Sequence, residues 1–253
     1  TPVSRARAGP APQATPPSTS RVSVASDGAQ SDRDSYAPAI SADGRYVVFE
    51  SSASNLVGGD SNSAQDIFVH DREGGQTERV SVSSGNTQAN GLSGNPAISA
   101  GGRFVAFGSF ATNLVTPNTN IFGDAYVRDR LTNQTGRVST ASDGSQGNER
   151  SWVNNVSAIS ASATGSYVAF ESSASNLVGG DTNAGPDIFV RDRQAGQTTR
   201  VSVTTGGAQA NGDIGNASVS ADGRHVAFLF WGNNLVSGDT NNATDIFAHD
   251  RLT

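Results

Sequence analysis

The sequence predicts an all-β chain: four blades of four antiparallel strands, closed into a β-propeller. Three observations point there. The stretch NLVGGDSNSAQDIFVHDR from Asn55 returns as NLVTPNTNIFGDAYVRDR from Asn113, NLVGGDTNAGPDIFVRDR from Asn176 and NLVSGDTNNATDIFAHDR from Asn234. The starts lie 58, 63 and 58 residues apart, and a period of that size means one supersecondary unit repeated. Between the copies stand short alternating runs bounded by Gly, Asn, Asp and Ser, the pattern of strands joined by turns. Only 35% of the chain is hydrophobic and 29 residues are Gly, which suits many short strands better than helices.

Each repeat reads in the same order. It opens on Arg-Val-Ser, at Arg21, Arg79, Arg137 and Arg200, and continues into a polar loop. The first alternating run follows: PAIS at Pro38 and Pro96, SAIS at Ser157, ASVS at Ala217. Next comes a tight turn, ADGR at Ala42 and Ala221 and AGGR at Ala100. Asp-Gly between two alternating runs is a hairpin signal, because both residues tolerate positive φ. The third copy, ASATGS at Ala161, is two residues longer, so its turn should be looser. The second run is YVVFES at Tyr46, FVAFGS at Phe104, YVAFES at Tyr167 and HVAFLF at His225. In it Val47 and Phe49, Val105 and Phe107, Val168 and Phe170, and Val226 and Phe228 share one face of their strand, since side chains alternate. The long Asn-Leu-Val loop leads to the third run, DIFVHDR and its copies, where period two leaves open whether Ile67 and Val69 or Phe68 meets the next sheet. A short turn returns to Arg-Val-Ser.

The ends bear on closure. The last copy lacks an Arg-Val-Ser strand after Arg251, and Arg21–Val24 is one in excess at the start. Pairing this N-terminal strand with residues 245–251 would complete four blades and remove an open edge. The competing reading is a portion of a larger propeller. Residues 1–20 hold five prolines and no apolar period, the composition of a disordered tail. Residues 21–253 form a single domain.

The pattern PAISADGRYVVFES, NLV, GD.N, DIFV.DR, RVSV resembles the TolB-type β-propeller repeat of secreted and periplasmic bacterial proteins, over residues 21 to 253. The resemblance implies a propeller and a secreted or periplasmic location. It says little about function, because such propellers serve as protein-docking modules and as lids of peptidases.

Composition excludes some partners. The basic residues are all Arg, and the net charge of −6 argues against a phosphate backbone. There is no Cys, hence no disulfide and no thiolate metal site. No apolar run is long enough to span a membrane.

Candidate sites fall on the face carrying the two long loops of each repeat, since loops on rigid scaffolds carry function. The loop before DIFV places Asp60, Asn62 and Asp66, then Asn118, Asn120 and Asp124, then Asp181, Asn183 and Asp187, then Asp239, Asn241 and Asp245. Carboxylates and an amide at positions 1, 3 and 7 are oxygen donors of the kind Ca²⁺ takes, with backbone and water supplying the remainder of six to eight ligands. The other reading is Asx turns that organise the loop. The second long loop carries Gln30 and Asp32, Gln88 and Asn90, Gln146 and Asn148, and Gln209 and Asn211. These are either ligand-binding groups or partners of the loop backbone. Trp152 and Trp231 fall in or beside the long loops, where an aromatic ring can stack on a sugar or a protein partner.

The pairs Asp71-Arg72, Asp129-Arg130, Asp192-Arg193 and Asp250-Arg251 are expected to pin the turn between third and fourth strands. His70 and His249 are expected at a solvated strand position, and His225 as a packing residue. No catalytic residue is assigned: no nucleophile motif appears, and a catalytic carboxylate is not expected in four equivalent places. The functional expectation is a non-enzymatic, calcium-stabilised module for a protein or peptide. Its alternatives are a multivalent polysaccharide-binding propeller and a propeller detached from a hydrolase.

Overall fold

In the computed structural model the described residues are 18–151, 159–161, 164–183 and 185–252. Most of the Pro-rich tail, the site candidate Trp152 and the first half of the third SAIS run lie outside them. Among the described residues fifteen strands are formed: β1 Ser35–Ile40, β2 Tyr46–Ser51, β3 Asp66–Asp71, β4 Thr77–Arg79, β5 Ser93–Ile98, β6 Phe104–Ser109, β7 Asp124–Asp129, β8 Gln134–Arg137, β9 Ile159–Ala161, β10 Tyr167–Ser172, β11 Asp187–Asp192, β12 Gln197–Arg200, β13 Ile214–Val219, β14 His225–Phe230 and β15 Asp245–Asp250. They make four antiparallel sheets in chain order: β1 to β4, β5 to β8, β9 to β12 and β13 to β15. No described residue is helical.

The register repeats. Tyr46 faces Asp71, Phe104 faces Asp129, Tyr167 faces Asp192 and His225 faces Asp250 across the second and third strands. The expected Asp-Gly hairpins join β1 to β2 and β13 to β14, with Gly44 and Gly223 at positive φ. Phe49 stacks on Phe68, Phe107 on Tyr126, Phe170 on Phe189 and Phe228 on Phe247, each pair across the middle of its sheet.

The sheets pack in a row, and each neighbouring pair encloses one core. Between the first and second sheets Val48, Ile67 and Val69 meet Val105, Phe107 and Tyr126. Between the second and third, Ala106 and Val127 meet Val168, Phe170 and Phe189. Between the third and fourth, Ala169, Ile188 and Val190 meet Val226 and Phe228. The Val and Phe of each second strand thus share a buried face, as expected. Both faces of β3, β7 and β11 are buried, which is why alternation could not choose between Ile67 and Phe68.

Turn glycines fit the sheets together. Gly102 sits at φ +73 in the β5–β6 hairpin, and a Cβ there would lie 2.1 Å from the Tyr46 ring of the preceding sheet. Arg130 of the second sheet lies over the other part of this contact, 4.4 Å from the Tyr46 ring centroid. The same seat recurs at Gly165 on Phe104 and Gly223 on Tyr167.

Closure differs from expectation. The fourth sheet has three strands, and Arg21–Val24 does not pair with β15. Val24 instead bridges to Gln30. Thr77 Oγ1 donates to the Val24 carbonyl at 2.5 Å, and Thr77 N donates to Ser26 Oγ at 2.9 Å. This hook closes over a few residues and recurs at Val82–Gln88, Thr140–Gln146 and Val203–Gln209. The bonds from Thr77 fix it to the fourth strand of the first sheet. His225, expected to pack, is exposed, because no following sheet covers it as Tyr46, Phe104 and Tyr167 are covered. His70, expected in solvent, is buried, with Nδ1 2.8 Å from Thr77 Oγ1 beside the first hook.

Gly102→Ala should destabilise the protein by about 2–5 kcal/mol, since it adds overpacking to backbone strain. Gly144→Ala, at φ +88 with no atom within 4 Å of the new Cβ, should cost only about 1–2 kcal/mol. Urea unfolding of the two variants measures the difference.

Candidate functional site

The acidic loops form a clamp that repeats three times. A buried Asp opens each third strand, and its oxygens accept from two later segments. Asp66 takes Ser81 Oγ at 2.5 Å on one oxygen and Gln88 Nε2 at 2.9 Å on the other. Gln88 Nε2 also reaches Asp60 at 2.8 Å, and its Oε1 accepts from Ser61 N at 3.1 Å. Arg79 Nη1 lies 3.5 Å from both Asp60 and Asp66. Asn62 closes the loop by donating to Asp66 at 3.1 Å and to the Ala89 carbonyl at 2.9 Å. The second clamp joins Asp124 to Ser139, Gln146 and Arg137, with Asn118 standing where Asp60 stands and Asn120 bonded to the Gly147 carbonyl. The third joins Asp187 and Asp181 to Ser202, Gln209 and Arg200, with Asn183 on the Ala210 carbonyl.

Burial pushes the Asp66, Asp124 and Asp187 carboxyls up, while the serine, glutamine and arginine donors pull them down. These donors bear on the calcium expectation. A calcium ion requires oxygens turned inward, whereas the side-chain oxygens of these three loops meet N–H and O–H groups, with a guanidinium at the centre. The donor set does not fit the ion there. No cluster of three or more Asp, Glu or His side chains suited to a metal occurs among the described residues. The fourth loop differs: Asp245 accepts only from Asn241, at 3.1 Å, and Asp239 Oδ2 is buried with no hydrogen bond.

The Asn and Asp of the second long loop serve the neighbouring loop. Asp32 accepts from Ser54 N at 2.8 Å and Ser54 Oγ at 2.7 Å. Asn90 pairs with Thr112 and Asn113, Asn148 with Ser175 and Asn176, and Asn211 with Asn233 and Asn234. Gln88, Gln146 and Gln209 are held in the clamps, and Gln30 is exposed.

On the opposite face Asp and Arg of each pair do not bond each other. Asp71 takes the fork of Arg45 at 2.9 and 2.7 Å together with the turn amides of Glu73 and Gly74, and Arg72 donates to the Gly44 carbonyl at 2.7 Å. The pair therefore ties the turn between third and fourth strands to the preceding hairpin. Asp129 and Asp250 repeat this with Arg103 and Arg224, which hold all three carboxyls well below the usual range. Ser166 replaces the arginine in the third sheet, where Asp192 keeps only the turn amides.

Two features lie outside the clamps. The Trp231 ring is 52% exposed. It lines a cleft of about 420 Å³ with Asn211, Asn233, Asn242 and Thr244 on the long-loop side of the fourth sheet. Glu171, in β10, is buried beside Gly215 of the next sheet. Burial pushes its carboxyl up to about 7, with Arg150 opposing and Asp213 adding to the shift. Sequence reasoning passed over Glu171 because it occupies an ordinary strand position; Glu50 stands at the same place in the first sheet, where it accepts from Asn95 N of the second at 2.7 Å, while Gly108 and Leu229 replace it in the other two.

EDTA should leave the melting temperature unchanged in a thermal unfolding scan; a rise of several degrees on adding Ca²⁺ would show that the ion displaces the clamp donors. Glu171 has a raised folded value, so its contribution is complete below about 4.5 and is lost as pH rises towards about 7. Wild type should therefore lose stability relative to Glu171→Gln across that window, as read by melting temperature against pH.

No protein-family profile matches the chain, and no curated protein matches it in sequence. Solved structures do match. TolB from Acinetobacter baumannii aligns at 18% identity and a TM-score of 0.50, covering 86% of this chain and 41% of its own. A puromycin-hydrolyzing peptidase of Mycobacterium tuberculosis aligns at 12% and 0.51, covering 87% and 28%. A prolyl endopeptidase aligns at 11% and 0.50, also covering 87% and 28%. The chain thus spans less than half the length of each. At these identities the likeness concerns the fold, and the chain has a TolB-like β-propeller-type fold.

Proposed function

We propose that this chain is a non-enzymatic binding module that engages a protein or peptide on its long-loop face. The Trp231 cleft carries the reading. Most repeated polar side chains of that face are engaged within the protein, so they stiffen the surface and offer little to a ligand. Trp231 is different: it is half exposed, it is the one indole among the aligned residues Ser52, Phe110, Ser173 and Trp231, and it borders a cleft with amide groups at its rim. A large amphipathic ring beside donors and acceptors is the usual anchor of a protein contact.

The repeated carboxylates support a non-enzymatic role, because each described clamp Asp in the first three sheets is held by several donors. Glu171 is buried between sheets and faces a backbone glycine. A secreted or periplasmic setting accords with the resemblance of the repeats. A second reading, polysaccharide binding, is favoured by the same ring, since an exposed indole flanked by Asn side chains also suits a sugar face.

The test uses Trp152→Phe protein, in which Trp231 is the only tryptophan. This protein and its Trp231→Ala derivative are applied to immobilised peptide and glycan arrays. Peptide hits that disappear with Trp231→Ala, and shift Trp231 fluorescence in solution, support the proposal. Glycan hits with the same dependence establish the second reading, and hits indifferent to Trp231 overturn both.

A further inference from the structure

Gly215 leaves open a place that the first repeat fills. It is the second residue of β13 and stands where Tyr36 stands in β1. Both strands carry the same register shift, so the backbones correspond. The Tyr36 hydroxyl donates to Asp34 Oδ2 at 3.0 Å. In the fourth sheet Asp213 takes the place of Asp34, and with glycine two residues on, no phenol reaches it. Its carboxylate is exposed and, among the described residues, makes no hydrogen bond or ion pair. The Asp213 backbone is nonetheless fixed beside the indole, because Trp231 N donates to its carbonyl at 2.9 Å.

Glu171 faces the same place from the third sheet. A Cβ on Gly215 would lie 3.4 Å from Glu171 Oε2 and 3.8 Å from Trp231 Cζ3, ordinary contact distances that leave room for an added atom between carboxylate and indole. Glu50 shows what this carboxylate does when the protein supplies a donor: it accepts from Asn95 N. Asn216 has the backbone conformation of Asn95, φ +55 against +53, yet Glu171 accepts nothing from it. Among the described residues the Glu171 carboxylate makes no hydrogen bond and joins no ion pair, although the residue is only 6% exposed. The charged groups that act on it are Asp213 and Arg150, both exposed. A carboxylate buried to this extent is costly to ionise until a cation reaches it.

We infer that the space at Gly215 is a subsite for an organic cation, the guanidinium or ammonium of a basic side chain on the partner, held by the Glu171 and Asp213 carboxylates beside the Trp231 indole. The inference rests on the reading of the long-loop face as a protein-binding surface and adds what its anchor recognises. The ring favours an organic cation, since a charged group within about 6 Å of an indole centroid is drawn to it, and the methylene stem of Arg or Lys packs on apolar surface. Two carboxylates are too few oxygens for a metal ion, and no group of three Asp, Glu or His side chains suited to a metal occurs among the described residues. The net charge of −6 attracts a basic partner. Because burial keeps part of Glu171 protonated near neutral pH, entry of the cation releases that proton, and affinity rises with pH as Glu171 ionises.

The test uses two peptides, acetyl-Gly-Arg-Gly-amide and its citrulline counterpart, which keeps the shape of arginine and loses the charge. Trp231 fluorescence of the Trp152→Phe protein reports binding. At pH 8 the arginine peptide should shift the emission saturably, and the citrulline peptide should bind at least about tenfold more weakly. Lowering the pH to 5 should weaken the arginine peptide by more than about tenfold and leave the citrulline peptide unchanged. Glu171→Gln should abolish both differences; its melting temperature above pH 7 is at least that of the parent, so the loss is not unfolding. Gly215→Ala puts a methyl group in the space and should weaken the arginine peptide severalfold with an unchanged circular dichroism spectrum. Equal binding of the two peptides, or arginine binding indifferent to Glu171→Gln, overturns the inference. Trp231-dependent hits without Arg or Lys on the peptide array overturn it too, and leave the protein-binding reading standing. If the arginine peptide binds as expected and the array is empty, the cation subsite holds and that reading falls.

Discussion

One buried carboxylate per repeat holds this architecture together. Asp66, Asp124 and Asp187 are fully buried at the first residue of their strands, where an ionised group is costly unless donors surround it. The donors do not come from the same hairpin. Serine and arginine arrive with the fourth strand, and glutamine arrives from the hook that begins the next repeat. Satisfying one side chain therefore fixes the edge of a sheet and the path of the chain into its neighbour. Removing Ser81 Oγ takes the hydrogen bond from one buried oxygen of Asp66, a cost of about 1–3 kcal/mol.

Around that constraint the apolar packing is simple. Each of the first three sheets buries two faces, one lined by Val and Phe of the second strand and the other by Ile or Ala and Val of the third, whereas Ile246 of the fourth is exposed. One sheet alone would leave both faces bare, so stability grows by stacking, as in other repeat proteins. The glycine-on-ring contacts set how closely the hairpins approach. Phe104 lies between arginines of its own and the next sheet, with Arg103 and Arg193 at 4.7 and 4.8 Å. Low hydrophobic content is sufficient because the Val, Ile and Phe at the three seams are buried between neighbouring sheets.

Much of this was legible in the sequence. Period two in YVVFES and its copies gave the strands and the shared face of Val47 and Phe49, and Asp43-Gly44 gave the hairpin. The partners of Asp60, Asn62 and Asp66 were not legible, because Arg79 and Gln88 belong to the following repeat and nothing local marks them as donors. The same spacing of oxygens serves a cation or a guanidinium, and only the three-dimensional arrangement separates them. The buried place of His70 was hidden for a related reason: its cover is a hook from residues 24–26. Trp231 stood out through asymmetry, which sequence comparison among repeats detects well.

The hook places the sequence repeat out of phase with the sheet. Every copy of the motif begins by finishing the clamp of the sheet before it and ends by starting another. Tandem duplication of a whole genetic unit therefore lengthens the stack without ever generating a mismatched junction, and deletion of a unit shortens it just as cleanly.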